Sequence, residues 1–263
     1  MFKKYSYIIL IAFTVVFFVI ILIFSKDPAD KIPTFKERTG NISLSSEWLN
    51  SKKAMQGLLD NIAKNPKDYK SMIALVEAYV QEARITGDYA YYDKASLELL
   101  DKVLKNQPKN FDALTLKALI FLSQHHFSDA LDVGKQAQVI NPYNAFIYGI
   151  LDDANLELGH YDSAVAMADK MTSIRPDLRS YARISYLREI YGDIPGAISA
   201  IKLAVSAGYP GLEQTEWARM ILGHLYENEG QLDSAQMVYQ RALVERPDYP
   251  FAFAGLEIGR AHV

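Results

Sequence analysis

The hydrophobic pattern divides the chain into two regions. Residues 5–25 form a run without a charged residue, YSYIILIAFTVVFFVIILIFS, in which only Ser6, Thr14 and Ser25 are not apolar. A helix of this length rises about 32 Å, the thickness of the hydrocarbon core of a bilayer. Beyond the run, short stretches with apolar residues at helical spacing alternate with turn residues, which predicts a stack of helices.

The apolar run predicts a transmembrane signal-anchor helix at residues 5–25, after a short tail of residues 1–4. A cleaved secretory signal is the alternative, but its apolar core is usually shorter and no small-x-small cleavage site follows Phe24. Lys3 and Lys4 directly precede the run, which favours a cytoplasmic N-terminus at the bacterial inner membrane and a body on the extracytoplasmic side. Basic residues also follow the run, so the opposite orientation stays open.

A repeat of about 34 residues organises the rest of the chain. Its first marker is proline, with successive spacings of 42, 34, 34, 34 and 37 residues: Pro66, Pro108, Pro142, Pro176, Pro210 and Pro247. Its second marker is alanine, which keeps step with the prolines: Ala54, Ala95, Ala130, Ala164, Ala197 and Ala235. Two residue types that keep one period indicate a repeat array over residues 47–256. Residues 26–46 lack a sustained period and are predicted to be a linker.

Each repeat has the signals of an antiparallel helix pair. Glycines such as Gly159 and Gly230 end a first helix, Asp162 and Asp233 are predicted to cap the second, and an Asn-Pro or Arg-Pro step stops it. This pattern predicts five helix pairs between residues 68 and 245. A leading helix at residues 47–64 precedes them, and a sixth pair begins at Tyr249.

The last complete repeat resembles the tetratricopeptide repeat family. It matches the family pattern at these positions: Leu222, Gly223, Tyr226, Gly230, Ala235, Tyr239, Ala242, Leu243 and Pro247. Arg219 occupies the place of the family's early tryptophan, and the first repeat has about eight extra residues, placed in its turn near residues 86–92. The resemblance implies an all-α superhelix of stacked helix pairs. It also implies a non-catalytic scaffold that binds a protein or peptide partner in a concave groove.

The family's groove lies along the first helix of each pair. Its usual positions fall here on Asp112, Thr115, Asp153, Tyr186, Glu189, Trp217, His224 and Glu227. An alternative is that Tyr186 and Trp217 are ordinary packing residues. The basic and amide set with which some relatives hold a C-terminal carboxylate is not evident.

Composition narrows the chemistry further. The chain has 263 residues, no cysteine and a formal charge of −3, while residues 39–263 hold 22 basic and 28 acidic residues, a formal charge of −6. This balance argues against a nucleic-acid partner, and the missing cysteines exclude disulfides and thiolate metal sites. The histidines lack metal-ligand spacing, and no nucleotide-binding glycine loop is present, so no catalytic, metal or cofactor site is predicted. Asp152 and Asp153 diverge on a helix and are not an acid/base pair; Asp152 is predicted to be hydrogen-bonded to a neighbour.

The C-terminal residues raise a second hypothesis. Residues 258–263, IGRAHV, equal one translation of a widely used sequencing adaptor, so residues 257–263 are predicted to be a non-native tail on a truncated chain. The alternative function is then the anchor-and-repeat half of a longer protein with an enzymatic domain downstream. Self-association through the edges of the array is a third hypothesis.

Overall fold

The computed structural model describes residues 32–39 and 46–261, with side chains through residue 257. This part of the chain contains twelve helices and no strand: α1 Ser46–Lys64, α2 Tyr69–Thr86, α3 Tyr89–Asn106, α4 Phe111–Ser123, α5 Phe127–Ile140, α6 Ala145–Glu157, α7 Tyr161–Ile174, α8 Leu178–Ile190, α9 Ile194–Ala207, α10 Glu213–Asn228, α11 Leu232–Glu245 and α12 Pro250–Ala261. Helices α2 to α11 are the five predicted pairs, and α1 is the leading helix. The all-α prediction is confirmed for these residues.

The predicted membrane anchor at residues 5–25 lies outside the described residues. Among the helices that the structure describes, none is both long and apolar enough to cross a bilayer.

The turns inside pairs three, four and five use glycine as the sequence predicts. Gly159, Gly192 and Gly230 have φ values of 77°, 78° and 70°, a left-handed conformation that glycine adopts without steric cost. The prediction that Asp162 and Asp233 cap the second helices is wrong. The capping positions belong to His160 and Gln231, and the two aspartates lie in the first helical turn, where their charge meets the positive end of the helix dipole.

Small residues let the two helices of a pair approach closely. The repeated alanines of pairs two to five are all buried: Ala130, Ala164, Ala197 and Ala235. The family-pattern glycine of α10 shows the same effect, because a Cβ built on Gly223 would stand 2.2 Å from Cε1 of Tyr239 on α11. The periodic small residues therefore set the distance between helices.

The first pair is longer than the others, but not in its turn. Helices α2 and α3 have 18 residues each, against 13 and 14 in the second pair, and only residues 87–88 separate them. The prediction that the extra residues lie in the turn is wrong, because they continue both helices. Tyr92 in the first turn of α3 is buried, and its ring lies 5.7 Å from that of Tyr79 on α2.

The described residues from Phe35 onward form one compact unit, which includes a segment ahead of α1. The ring of Phe35 is buried against Trp48, Tyr79 and Tyr92 at centroid distances of 5.9 to 6.0 Å. Arg38 donates two hydrogen bonds of 2.7 Å to the carboxylate of Glu82, and both side chains are buried. The linker prediction for residues 26–46 did not anticipate that Phe35 and Arg38 pack on the array.

Ion pairs also join the start of the array to its fifth pair. Arg84 at the end of α2 donates to both carboxylate oxygens of Glu213 on α10, at 3.1 and 3.3 Å. Arg246, which follows α11, donates to Glu47 on α1 at 3.1 Å and to the carbonyl of Gly211 at 3.0 Å. These contacts link residues 129 and 199 positions apart, whereas repeat arrays usually make contacts only between neighbours.

Candidate functional site

The first helices of the pairs form one continuous layer. Helix α2 contacts α4, α4 contacts α6, and the series continues through α8 and α10 to α12. We call the side of this layer that faces away from the second helices the groove face. The eight predicted groove residues lie on four of these helices: Asp112 and Thr115 on α4, Asp153 on α6, Tyr186 and Glu189 on α8, and Trp217, His224 and Glu227 on α10.

The two α4 residues differ in access to solvent. Asp112 is exposed in the first turn, but Thr115 is only 4% exposed and its hydroxyl oxygen has no hydrogen-bond partner among the described residues. Thr115 therefore contributes to packing between helices and cannot contact a partner in this arrangement.

Arg183, which is not among the eight predicted groove residues, forms polar contacts between two neighbouring first helices, α6 and α8. Arg183 on α8 donates to both carboxylate oxygens of Asp153 at 2.6 and 2.8 Å, and to the carbonyl of Gly149 at 3.1 Å. Asp153 is thus engaged in an ion pair between pairs three and four. Only the opposite charges on neighbouring first helices could have indicated this pair from sequence.

Asp152 lies beside the same arginine in a less favourable setting. Its side chain is 1% exposed, one carboxylate oxygen is 3.8 Å from Nε of Arg183, and the other has no hydrogen-bond partner in the described part of the chain. The predicted hydrogen bond to a neighbour is therefore wrong. Burial raises the pKa of Asp152 to about 7, Asp153 adds to the rise, and Arg183 opposes it.

A ladder of aromatic and guanidinium groups runs along the N-terminal ends of four successive first helices, in the first turn of α6, α8 and α12 and directly after it in α10. Trp217 on α10 is 40% exposed, and its ring meets that of Phe251 on α12 edge-to-face at 5.1 Å. The guanidinium of Arg179 on α8 lies 5.2 Å from the ring centroid of Phe146 on α6. We call Phe146, Arg179, Trp217 and Phe251 the first-turn ladder. Repeat spacing could have found its other three members, because each takes in its repeat the position that Trp217 takes in the fifth.

Tyr186 and Trp217 both expose part of their rings to solvent. Tyr186 is 48% exposed on α8, and Glu189 lies half-buried one helical turn further along. Both aromatic residues therefore lie outside the buried core.

The C-terminal part of α10 combines an exposed and a buried group. Nδ1 of His224 lies 3.7 Å from the carboxylate of Glu227, and the histidine is mostly exposed. Burial raises the pKa of the Tyr239 hydroxyl, and the Glu227 carboxylate raises it further, which places Glu227 against α11. His224 is the accessible member of this group.

The groove face presents aromatic and charged side chains to solvent. Among the residues that the structure describes, no three His, Cys, Asp or Glu side chains come together in a group that could hold a metal ion. Its accessible groups are aromatic rings, single carboxylates and a guanidinium, which suit recognition of another chain.

Comparisons with known proteins agree with this architecture. Residues 218–249 match the tetratricopeptide repeat family. No curated protein matches the sequence. The fold is similar to that of TTC0263, a thermophilic TPR protein of Thermus thermophilus, at 21% identity over 68% of this chain and 95% of that chain, with a TM-score of 0.60.

Two further solved structures show the same fold. One is the APC/C hetero-tetramer Cut9–Hcn1, at 14% identity over 81% of this chain and 40% of that chain, with a TM-score of 0.64. The other is a tetratricopeptide repeat protein from Parabacteroides merdae ATCC 43184, at 14% identity over 82% of this chain and 81% of that chain, with a TM-score of 0.56. The array therefore has the tetratricopeptide fold, and its fifth pair carries the family's sequence pattern.

Proposed function

We propose that the chain is a membrane-tethered, non-catalytic tetratricopeptide scaffold that binds a protein or peptide partner on its groove face. The first-turn ladder is the observation that carries this proposal. Aromatic side chains and arginine supply much of the binding energy at protein interfaces, because they combine large contact area with hydrogen-bonding or cationic groups. In this array they recur at one position of successive repeats, so an extended partner can meet them in series.

The ladder is available for contact as it stands. Trp217 and Phe251 are exposed, although each already packs against the other's ring. Arg179 is exposed beside the Phe146 ring and has no ion-pair partner among the described residues. A rigid, preformed row of this kind costs little ordering entropy when a partner binds.

Site-specific photo-crosslinking tests this role in the full chain. A benzophenone amino acid is placed at Trp217 or Phe251 and, as a control, at Val139 on the second helix α5, which is 84% exposed. The proposal predicts a discrete crosslinked partner from the two ladder positions and none from Val139. Equal crosslinking from all three positions, or none from the ladder, contradicts it.

The tether is supported by the sequence of residues 5–25 and by its length relative to a bilayer. Deleting these residues is expected to move the chain from the membrane fraction to the supernatant after ultracentrifugation. The proposed orientation places the array on the extracytoplasmic side of a bacterial inner membrane. Protease added outside intact spheroplasts should then digest the array. Protection of the array would indicate the opposite orientation.

A further inference from the structure

Three exposed tyrosines lie together where pairs three and four adjoin. Tyr161 and Tyr191 are 48% and 59% exposed, and their rings meet edge-to-face with centroids 6.4 Å apart. Tyr186, also 48% exposed, lies on α8, the helix that ends directly before Tyr191. We call Tyr161, Tyr186 and Tyr191 the tyrosine surface. Exposed clusters of large aromatic side chains mark interaction sites on soluble domains.

Carboxylates surround this surface. Glu189 follows Tyr186 by one turn of α8, and Glu157 is the last residue of α6, which packs against α8. Partial burial raises the pKa of the Tyr186 hydroxyl, and the negative charges of Glu157, Glu189 and Asp153 raise it further. Asp153 is neutralised by Arg183, with 2.6 Å between the paired atoms. Glu157 and Glu189 have no ion-pair partner within the described ranges.

The nearby basic side chains do not reach these two acids. Arg188 on the same helix as Glu189 forms an ion pair with Asp193 at 2.9 Å. Arg183 is held between Asp153 and the carbonyl of Gly149. Two carboxylates beside three exposed aromatic rings are therefore left to meet a partner.

This combination selects a cationic ligand. An ammonium or guanidinium group is attracted to the face of a tyrosine ring and to a carboxylate, whereas an anionic group gains from neither. Residues 39–263 carry a formal charge of −6, which adds long-range attraction for a basic chain and repulsion for an acidic one.

We propose that the tyrosine surface, with Glu157 and Glu189, binds a partner segment in which lysine or arginine alternates with apolar residues. The inference rests on the proposed scaffold function, since it names the chemistry of the partner. The cationic side chains meet the two carboxylates and the ring faces, and the apolar side chains cover the tyrosine edges. The partner then contacts pairs three and four in addition to the first-turn ladder.

Labelled peptides test this chemistry directly. The full chain in non-ionic detergent is titrated into rhodamine-labelled (Gly-Lys-Leu)4 or (Gly-Glu-Leu)4, and binding is followed by fluorescence anisotropy. We expect the basic peptide to bind and the acidic peptide not to bind. The combined change Glu157→Gln and Glu189→Gln should weaken binding of the basic peptide about three- to tenfold, because each removes one accessible ion pair.

Matched controls separate the surface from general charge and aromatic effects. Tyr191→Ala should weaken binding about two- to fivefold, while Tyr143→Ala, at an exposed tyrosine between α5 and α6, should leave binding unchanged. Asp132→Asn, at an exposed acid of α5, removes a charge elsewhere and should also have no effect.

Three outcomes overturn the inference. They are no binding of the basic peptide, equal binding of both peptides, or full binding by the Glu157→Gln, Glu189→Gln variant. Crosslinking from Trp217 to a partner would then still support the scaffold, with the partner confined to the ladder. Peptide binding without crosslinks from the ladder would instead contradict the proposed groove site.

Discussion

Replacing Asp152 by asparagine should stabilise the array, and increasingly so as the pH rises. The carboxylate is buried, has one oxygen without a partner among the described residues, and faces the charge of Asp153 on its own helix. These conditions penalise the ionised form, which is why the pKa is about 7 in the folded chain. An amide of the same shape keeps the packing and removes the charge.

The sign and size follow from proton linkage. The folded state holds a proton on Asp152 up to about pH 7, whereas an unfolded chain releases it near pH 4. Stability contributed by this group is therefore present below pH 4 and is lost as the pH rises to 7, by about 1.4 kcal/mol per pH unit. The advantage of Asp152→Asn should be near zero at pH 4 and reach as much as about 4 kcal/mol at pH 8.

Urea unfolding of the full chain in non-ionic detergent, followed by circular dichroism between pH 4 and 8, measures the difference. Asp152→Ala is the matched second variant, because Ala118 holds the same position in the second pair. Both variants should show the same slope with pH, with an offset for alanine due to lost packing. A difference between Asp152→Asn and the unchanged chain that does not vary with pH would refute the reasoning.

Three further changes test the packing. Arg38→Ala leaves a buried carboxylate without its partner and should cost about 3–5 kcal/mol in urea unfolding; a loss below about 1 kcal/mol would contradict burial of the pair. Gly223→Ala forces the Tyr239 ring to move and should lower the free energy of unfolding by about 1–3 kcal/mol. Gly57→Ala in α1 is the control, because the new Cβ meets no side chain or neighbouring helix within 4 Å, and it should stabilise the array by about 0.5–1 kcal/mol. Arg246→Ala should cost about 1 kcal/mol at low ionic strength and less at about 1 M NaCl, since its ion pair is partly exposed.

Local signals predicted most of the fold. Glycine in a left-handed turn, proline after a helix and a small residue at the helix contact each act within one repeat, so their spacing indicated the five pairs. The packing of Phe35 and Arg38 could not be read in this way. Arg38 pairs with Glu82, 44 residues away. The segment around Arg38 has no periodic pattern, and its contacts depend on the position of α2 in the folded array.

The candidate site was predictable in part for the same reason. Phe146, Arg179 and Phe251 occupy the position of Trp217 in their own repeats, so the repeat spacing could have predicted them. The tyrosine surface was not, because Tyr161 belongs to a second helix and Tyr191 to a turn, and only the stacking of pairs three and four brings their rings together.

The contacts between the start of the array and its fifth pair are weak enough to open when a partner binds. In a repeat array each pair depends on its neighbours alone, so one end can move without disturbing the other. Here Arg84 and Arg246 join α1 and α2 to the fifth pair through ion pairs that are partly exposed on at least one side. Such pairs contribute about 1 kcal/mol or less each, and salt weakens them. Separating these two regions therefore costs about 1–2 kcal/mol, which is small compared with the binding free energy that contacts on the groove face can supply. The ends can thus be held together in the free chain and still part when a partner binds.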